Sequence, residues 1–143
     1  VKTVYAEDIN YWKTGTTAPD TWIDHAKKEI VSAGGTIGNE AFGRDAEGRS
    51  AYMLEFAFSG ERFRAVWPVL PTRGGANERA ARIQAATMLY HDIKAKCVAA
   101  KVHGARAAFF QYALLPDGRT AAQLTTPELA DRWPRLLSAG GDE

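Results

Sequence analysis

The chain is poor in the residues that make chemistry easy to find. It has a single cysteine, Cys97, so no internal disulfide can form, and the fold must rest on its core. It has only three histidines, His25, His91 and His103. No HxxxH or HExxH pairing occurs. If residues 78–103 are one helix, the twelve residues between His91 and His103 rotate them about 120° apart. A zinc site of standard ligand spacing is therefore excluded from the expectations. Glycine-rich phosphate loops of the Walker type and GxSxG are absent. No apolar run reaches membrane-spanning length, and the first residues lack a signal-peptide core. These absences together predict a cytoplasmic protein with no cofactor and no enzymatic activity.

What is present is an ordinary globular composition: 143 residues, 45% hydrophobic and 24% charged, with a net charge of +1. That length predicts one domain, able to bury about two thirds of its unfolded surface. The charge is unevenly spread. Residues 61–106 carry nine Lys/Arg against three Asp/Glu, while the stretches on either side are net acidic. A basic middle is a candidate anion footprint.

The pattern predicts an α+β domain: a helix, a three-stranded antiparallel meander, a long central helix, and a C-terminal turn with a short helix. Residues 1–19 read as an irregular arm whose Tyr5, Tyr11 and Trp12 pack onto the domain. The first helix is expected to open at Asp20 or Thr21, either of which can cap. Its apolar stripe is Trp22, Ile23, Ala26 and Ile30, and Gly34-Gly35 ends it. Residues 36–42 make a weak strand, and 43–50 a polar loop. Residues 51–58 and 61–67 form a hairpin around the two-residue turn Ser59-Gly60. That turn sets Phe56 opposite Phe63, Leu54 opposite Ala65 and Tyr52 opposite Trp67 on the core face. Ala57–Arg62, Glu55–Arg64 and Met53–Val66 then take the other face.

Pro68 and Pro71 stop the last strand, and Arg73-Gly74-Gly75 reads as a flexible link. The long helix should run over 78–103, with Asn77 as its cap and Gly104 as its stop. Ile83, Ala86, Tyr90, Ile93, Cys97 and Ala100 form its seam. Met88, Ala95 and Ala99 make a second apolar side. Residues 105–114 fit helix or strand. Pro116-Asp117-Gly118 marks a turn. Thr126-Pro127 opens a final helix with Leu129, Trp133, Leu136 and Leu137 as its apolar residues, followed by a tail over 138–143.

Several of these segments resemble a family of small proteins encoded by phages, prophages and related mobile elements. The likeness lies in Tyr11-Trp12-Lys13-Thr14, Pro19-Asp20-Thr21-Trp22, residues 64–71 (RAVWPVLP), 85–96 (AATMLYHDIKAK) and 114–120 (LLPDGRT). The resemblance implies a setting rather than a chemistry: a bacterial host cytoplasm, and service in replication, recombination, regulation or counter-defence. It supplies no functional residues. The order helix, three strands, helix is also that of double-stranded RNA modules, but Asn77-Glu78-Arg79-Ala80 stands where their lysine cluster would.

The sharpest functional expectation is an anion site. Gly74 and Gly75 lead into a helix N-terminus, where unpaired N–H groups and the dipole favour phosphate. Arg73, Arg79 and Arg82 flank it, and Arg62 and Arg64 lie on the outward face of the preceding strand. The expected function is thus nucleic-acid binding through phosphate contacts, most readily to DNA. The alternative is a protein-interaction module, a homodimer or a binder of a host protein, using the alanine-rich side of the long helix. Stacking of bases would call on Tyr5, Tyr11 and Trp12, because the hairpin aromatics are expected in the core.

Overall fold

The computed structural model describes residues 2–124. The expected C-terminal helix and the tail lie outside the described residues. Over the rest the architecture is the expected α+β arrangement. Helices α1 (Pro19–Ser32) and α2 (Glu78–His103) pack together against a three-stranded antiparallel sheet of β1 (Thr36–Arg44), β2 (Ser50–Phe58) and β3 (Glu61–Pro68), in the order β1-β2-β3.

The opening of α1 corrects the capping expectation. Neither Asp20 nor Thr21 caps; Ala18 holds the cap position without a side-chain bond, and Pro19 is the first helical residue. A fixed proline φ and a missing N–H suit that position, so the ring opens the helix that a hydroxyl was expected to open. The helix ends as expected. Gly34 turns left-handed at φ 101°, Gly35 N–H donates to Ile30 and Gly34 N–H to Val31, the paired bonds of a Schellman ending. Gly35 is further required by space, since a Cβ there would lie 2.7 Å from Ile30 and 2.9 Å from Phe58.

The β2–β3 hairpin has the register that turn length and alternation dictate: Phe56 opposite Phe63, Leu54 opposite Ala65, Tyr52 opposite Trp67. Ser59 and Gly60 both take positive φ, as a turn matched to strand twist demands. β1 runs two residues beyond its expected end, with an irregularity between Ile37 and Glu40 where Gly38 approaches the backbone of Glu55.

In α2 the expected seam is only part of the buried surface. Ala86, Ile93 and Cys97 are buried, and Ile83, Tyr90 and Ala100 half-buried. The second buried side is not Met88, Ala95 and Ala99; Ala95 is exposed. It is Ala81, Gln84, Ala85, Thr87 and Leu89. The helix has the sheet on one flank and α1 with the N-terminal arm on another, and small residues allow both to approach. Asn77 occupies the cap position but makes no cap bond with its side chain; it takes φ 60°, which asparagine tolerates better than most residues. Gly104 stops the helix at φ 89°.

Residues 105–114 turn out to be neither one helix nor one strand. A single turn, α3 (Ala105–Ala108), and a 3-10 turn over Phe110–Tyr112 lead to isolated bridges from Ala113 to Phe63 and from Leu114 to Thr120. This segment inserts Phe109 between Phe56, Phe58 and Phe63, with ring centroids 5.0, 5.5 and 5.7 Å away. The LPDGR turn closes as expected, with Gly118 at φ 86°.

Candidate nucleic-acid interface

The structure does not bring the five candidate arginines, Arg62, Arg64, Arg73, Arg79 and Arg82, together. Arg73 is held by the N-terminal arm. Its guanidinium pairs with both carboxylate oxygens of Asp8 and lies 4.7 Å from the Tyr5 ring centroid, and its backbone N–H donates to Glu7 at 3.0 Å. The hydrogen bond from Arg73 holds the Asp8 carboxyl below its ordinary range, against the opposing effect of desolvation. The flexible link expected at residues 73–75 is therefore a pinned 3-10 turn, with Gly74 at φ 77° and Gly75 at φ 70°.

Arg64 is likewise engaged. It meets the buried Glu55 at 2.8 Å and donates to the Gly118 carbonyl at 3.1 Å. Asn39 donates to the other oxygen of Glu55 at 3.1 Å. Burial alone would raise the Glu55 carboxyl. The bonds from Arg64 and Asn39, with the charges of Arg64 and Arg62, outweigh it and hold the group below its ordinary range. A depressed native pKa stabilises the fold fully above the unfolded value, about 4.3, and the contribution is lost as pH falls through the native value. Glu55→Gln should therefore flatten the acid limb of stability from about pH 5 downward. Urea melts at a series of pH values check this; curves parallel to the parent's would refute it.

Arg62 and Arg79 are exposed. Arg82 lies 4.6 Å from the Phe42 ring centroid and 3.8 Å from Glu78. Phe42 pairs with Tyr52 and Arg62 with Ala57, so the two ends are five residues of β2 apart, about 17 Å. They also lie on opposite faces of the sheet. Arg62 thus cannot share a local patch with Arg79 and Arg82.

A different surface concentrates rings and positive charge. Where α1 and α2 pack, Trp22 lies 5.2 Å from Tyr90 and 5.9 Å from both His25 and His91, centroid to centroid. Tyr90 sits 5.1 Å from His91 and 5.9 Å from His25. The N-terminal arm lays Tyr11 flat on His91, 4.9 Å away and 9° from parallel. To do so Tyr11 takes φ 70°, and Lys13 follows at φ 54°. Left-handed backbone at such residues costs about 1–2 kcal/mol each, which the surrounding contacts must offset. Lys94 Nζ lies 5.8 Å from the Tyr90 ring centroid and Lys13 Nζ 5.6 Å from that of Trp12. His25 and His91 are exposed; Tyr11, Trp12, Trp22 and Tyr90 are half-buried.

The sequence points to Tyr5, Tyr11 and Trp12 for stacking and gives no such role to the four rings of the helices; Tyr5 lies against Arg73 instead. The sequence pattern assigns Trp22 and Tyr90 to apolar seams, correctly in part. The available signal was an aromatic beside an imidazole on each helix, Trp22 with His25 and Tyr90 with His91. Nothing in the sequence says that these two pairs meet.

A cavity of about 600 Å³ on the outward sheet face is floored by Ala51, Met53 and Val66 and bordered by Arg64 and Tyr112. Tyr112 donates to Asp92, which also takes Lys96 at 2.6 Å. Burial, then the bond to Asp92, holds the Tyr112 phenol far above its ordinary range. Burial raises the Cys97 thiol to about 11, so its thiolate is scarce at neutral pH. Among the described residues no three His, Cys, Asp or Glu lie close enough to hold a metal ion, and no helix is long and apolar enough to cross a membrane.

Compared with known proteins, the chain matches no family model, no curated sequence and no solved structure.

Proposed function

We propose that this protein binds single-stranded nucleic acid on the ring cluster of the α1–α2 face, as a small accessory protein of the mobile-element setting its sequence resemblance implies. The observation that carries the reading is the half-exposed cluster Tyr11, Trp22, His25, Tyr90 and His91 beside Lys94. Bases stack on exposed ring faces whatever their sequence, and nearby ammonium groups meet the phosphates. A base stacked on the exposed His91 would extend the pair that it forms with Tyr11. Arg79 remains exposed for peripheral phosphate contact, whereas Arg62 lies on the opposite sheet face and Arg64 and Arg73 would first have to leave their carboxylates.

The test is fluorescence anisotropy with labelled single strands and duplexes of DNA and RNA at low and high salt. Single strands should bind in a salt-sensitive way and quench tryptophan emission. His91→Ala combined with Lys94→Ala should weaken binding about tenfold or more. No binding at low salt would overturn the proposal. So would binding that ignores this double substitution but collapses with Arg62→Ala and Arg79→Ala, which would return the contact to the arginines.

A second reading, a protein-interaction module for a host partner, draws on α2 beyond the cluster. Val98 is 59% and Val102 75% exposed there, beside exposed Ala95.

A further inference from the structure

We propose that two copies of this chain pair through β1, antiparallel about a two-fold axis at Phe42, and join their sheets into one of six strands. The proposal is independent of the nucleic-acid reading. It begins with an asymmetry between the two edges of the sheet. Part of the β3 edge is covered: Ala113 bridges to Phe63, and Leu114 N–H donates to the Arg62 carbonyl at 2.9 Å. Strand order leaves β1 on the other edge with no strand beyond it among the described residues.

The direction of the free backbone groups follows from the ladder. Asp45 N–H donates to Arg49 at 2.8 Å, so residue 45 turns its polar groups toward β2. Hydrogen-bonded positions alternate along an antiparallel pair. Gly43 and Ala41 therefore also face β2, and Glu40, Phe42 and Arg44 turn theirs outward. The irregularity between Ile37 and Glu40 ends before this stretch, so residues 40–44 present a regular edge. It carries no proline and no lysine, and its two charges, Glu40 and Arg44, share the helix-facing side of the strand with Phe42.

Charge then selects one register. Pairing outward positions with each other requires the two-fold axis to pass through a residue of this stretch. An axis at Glu40 or Arg44 sets like charges opposite each other. An axis at Ala41 or Gly43 sets a charge opposite Phe42. The axis at Phe42 alone places Glu40 opposite Arg44 of the second copy, twice by symmetry, with the two Phe42 rings at the centre. Phe42 is a large apolar residue left 42% exposed in the single chain. About six backbone hydrogen bonds would form. Lys27 of α1 reaches Glu40, so the α1 flank next to β1 includes Lys27 and Val31, the latter 58% exposed. Joining the sheets carries that flank toward its counterpart, extending the interface beyond the strands.

Sedimentation equilibrium over a range of concentrations gives the mass directly. The parent chain should approach twice its monomer mass. Arg44→Glu alone and Glu40→Arg alone should each weaken association about tenfold, because each sets like charges opposite one another at two symmetric places. The double exchange, Glu40→Arg with Arg44→Glu, made together with Lys27→Glu so that position 40 keeps an opposite charge on α1, should restore it. Phe42→Asp should give monomers, with circular dichroism confirming that each variant is folded. A parent that stays monomeric at every concentration overturns the proposal. So does a dimer indifferent to the single reversals, or one that the double exchange fails to restore.

Discussion

Phe109→Ala should be the most damaging single substitution in this chain, costing about 3–5 kcal/mol. Phe109 is fully buried and touches three other rings, tilted or edge-on to Phe56 and Phe63 and nearly parallel to Phe58. Removing the ring deletes its transfer free energy and leaves a void walled by phenyl groups on a sheet and by α2. Those walls are held by backbone hydrogen bonds and cannot collapse far. A domain of this size has about 5–15 kcal/mol to lose, so the variant should melt about 10 °C or more below the parent. Val98→Ala, on the exposed side of α2, should change stability by less than about 0.5 kcal/mol. Chemical denaturation of the three proteins measures both. A loss near 1 kcal/mol for Phe109→Ala would mean that the 105–114 segment does not complete the core.

Gln84→Leu should cost about 2–4 kcal/mol and free the N-terminal arm. The Gln84 side chain is fully buried, and its Nε2 donates to the carbonyls of Ala6 at 2.8 Å, Asn10 at 3.1 Å and Ile9 at 3.2 Å. The two N–H groups of one amide thus answer three backbone acceptors, one N–H shared between two of them, in a segment that has little regular structure of its own. Leucine matches the volume and offers no donor, so those carbonyls lose their partner while the arm stays near an apolar surface. Ala6, held also by its N–H to Pro71, anchors the other side of the arm. Hydrogen exchange should show faster exchange over residues 5–13 in the variant, with β2 and β3 slowed or hastened only as global stability dictates. Equal protection of the arm in both proteins would remove Gln84 from this role. The arm carries Tyr11 onto His91, so the same variant should also weaken nucleic-acid binding if the ring cluster is the interface.

Both predictions rest on residues to which the sequence pattern assigns no such weight. Gln84 falls between positions of an apolar seam, and a polar residue there reads as a wet side of the helix. Phe109 lies in a segment whose period fits helix or strand equally. In each case the deciding partner is remote in the chain: the arm for Gln84, the hairpin rings for Phe109.

The hairpin stands at the other extreme. Turn length and side-chain alternation are local, and together they determine the register of β2 with β3, the core face, and the pairing of Arg64 with Glu55. Helix ends at Gly34 and Gly104 and the LPDGR turn are local for the same reason, since backbone conformation there depends on the residue that occupies it. The sequence by itself therefore determined the two main helices, the three strands, their order and the antiparallel hairpin, but not the path of residues 105–114. Tertiary structure alone decided where charge and rings collect. It consumed Arg73 in an ion pair with Asp8, set Arg82 on the sheet face opposite Arg62, and assembled one ring cluster from three separate stretches. Position along the chain is a poor guide to such groupings, because packing brings helices and loops together by their apolar faces and carries every polar neighbour to wherever that packing leaves it.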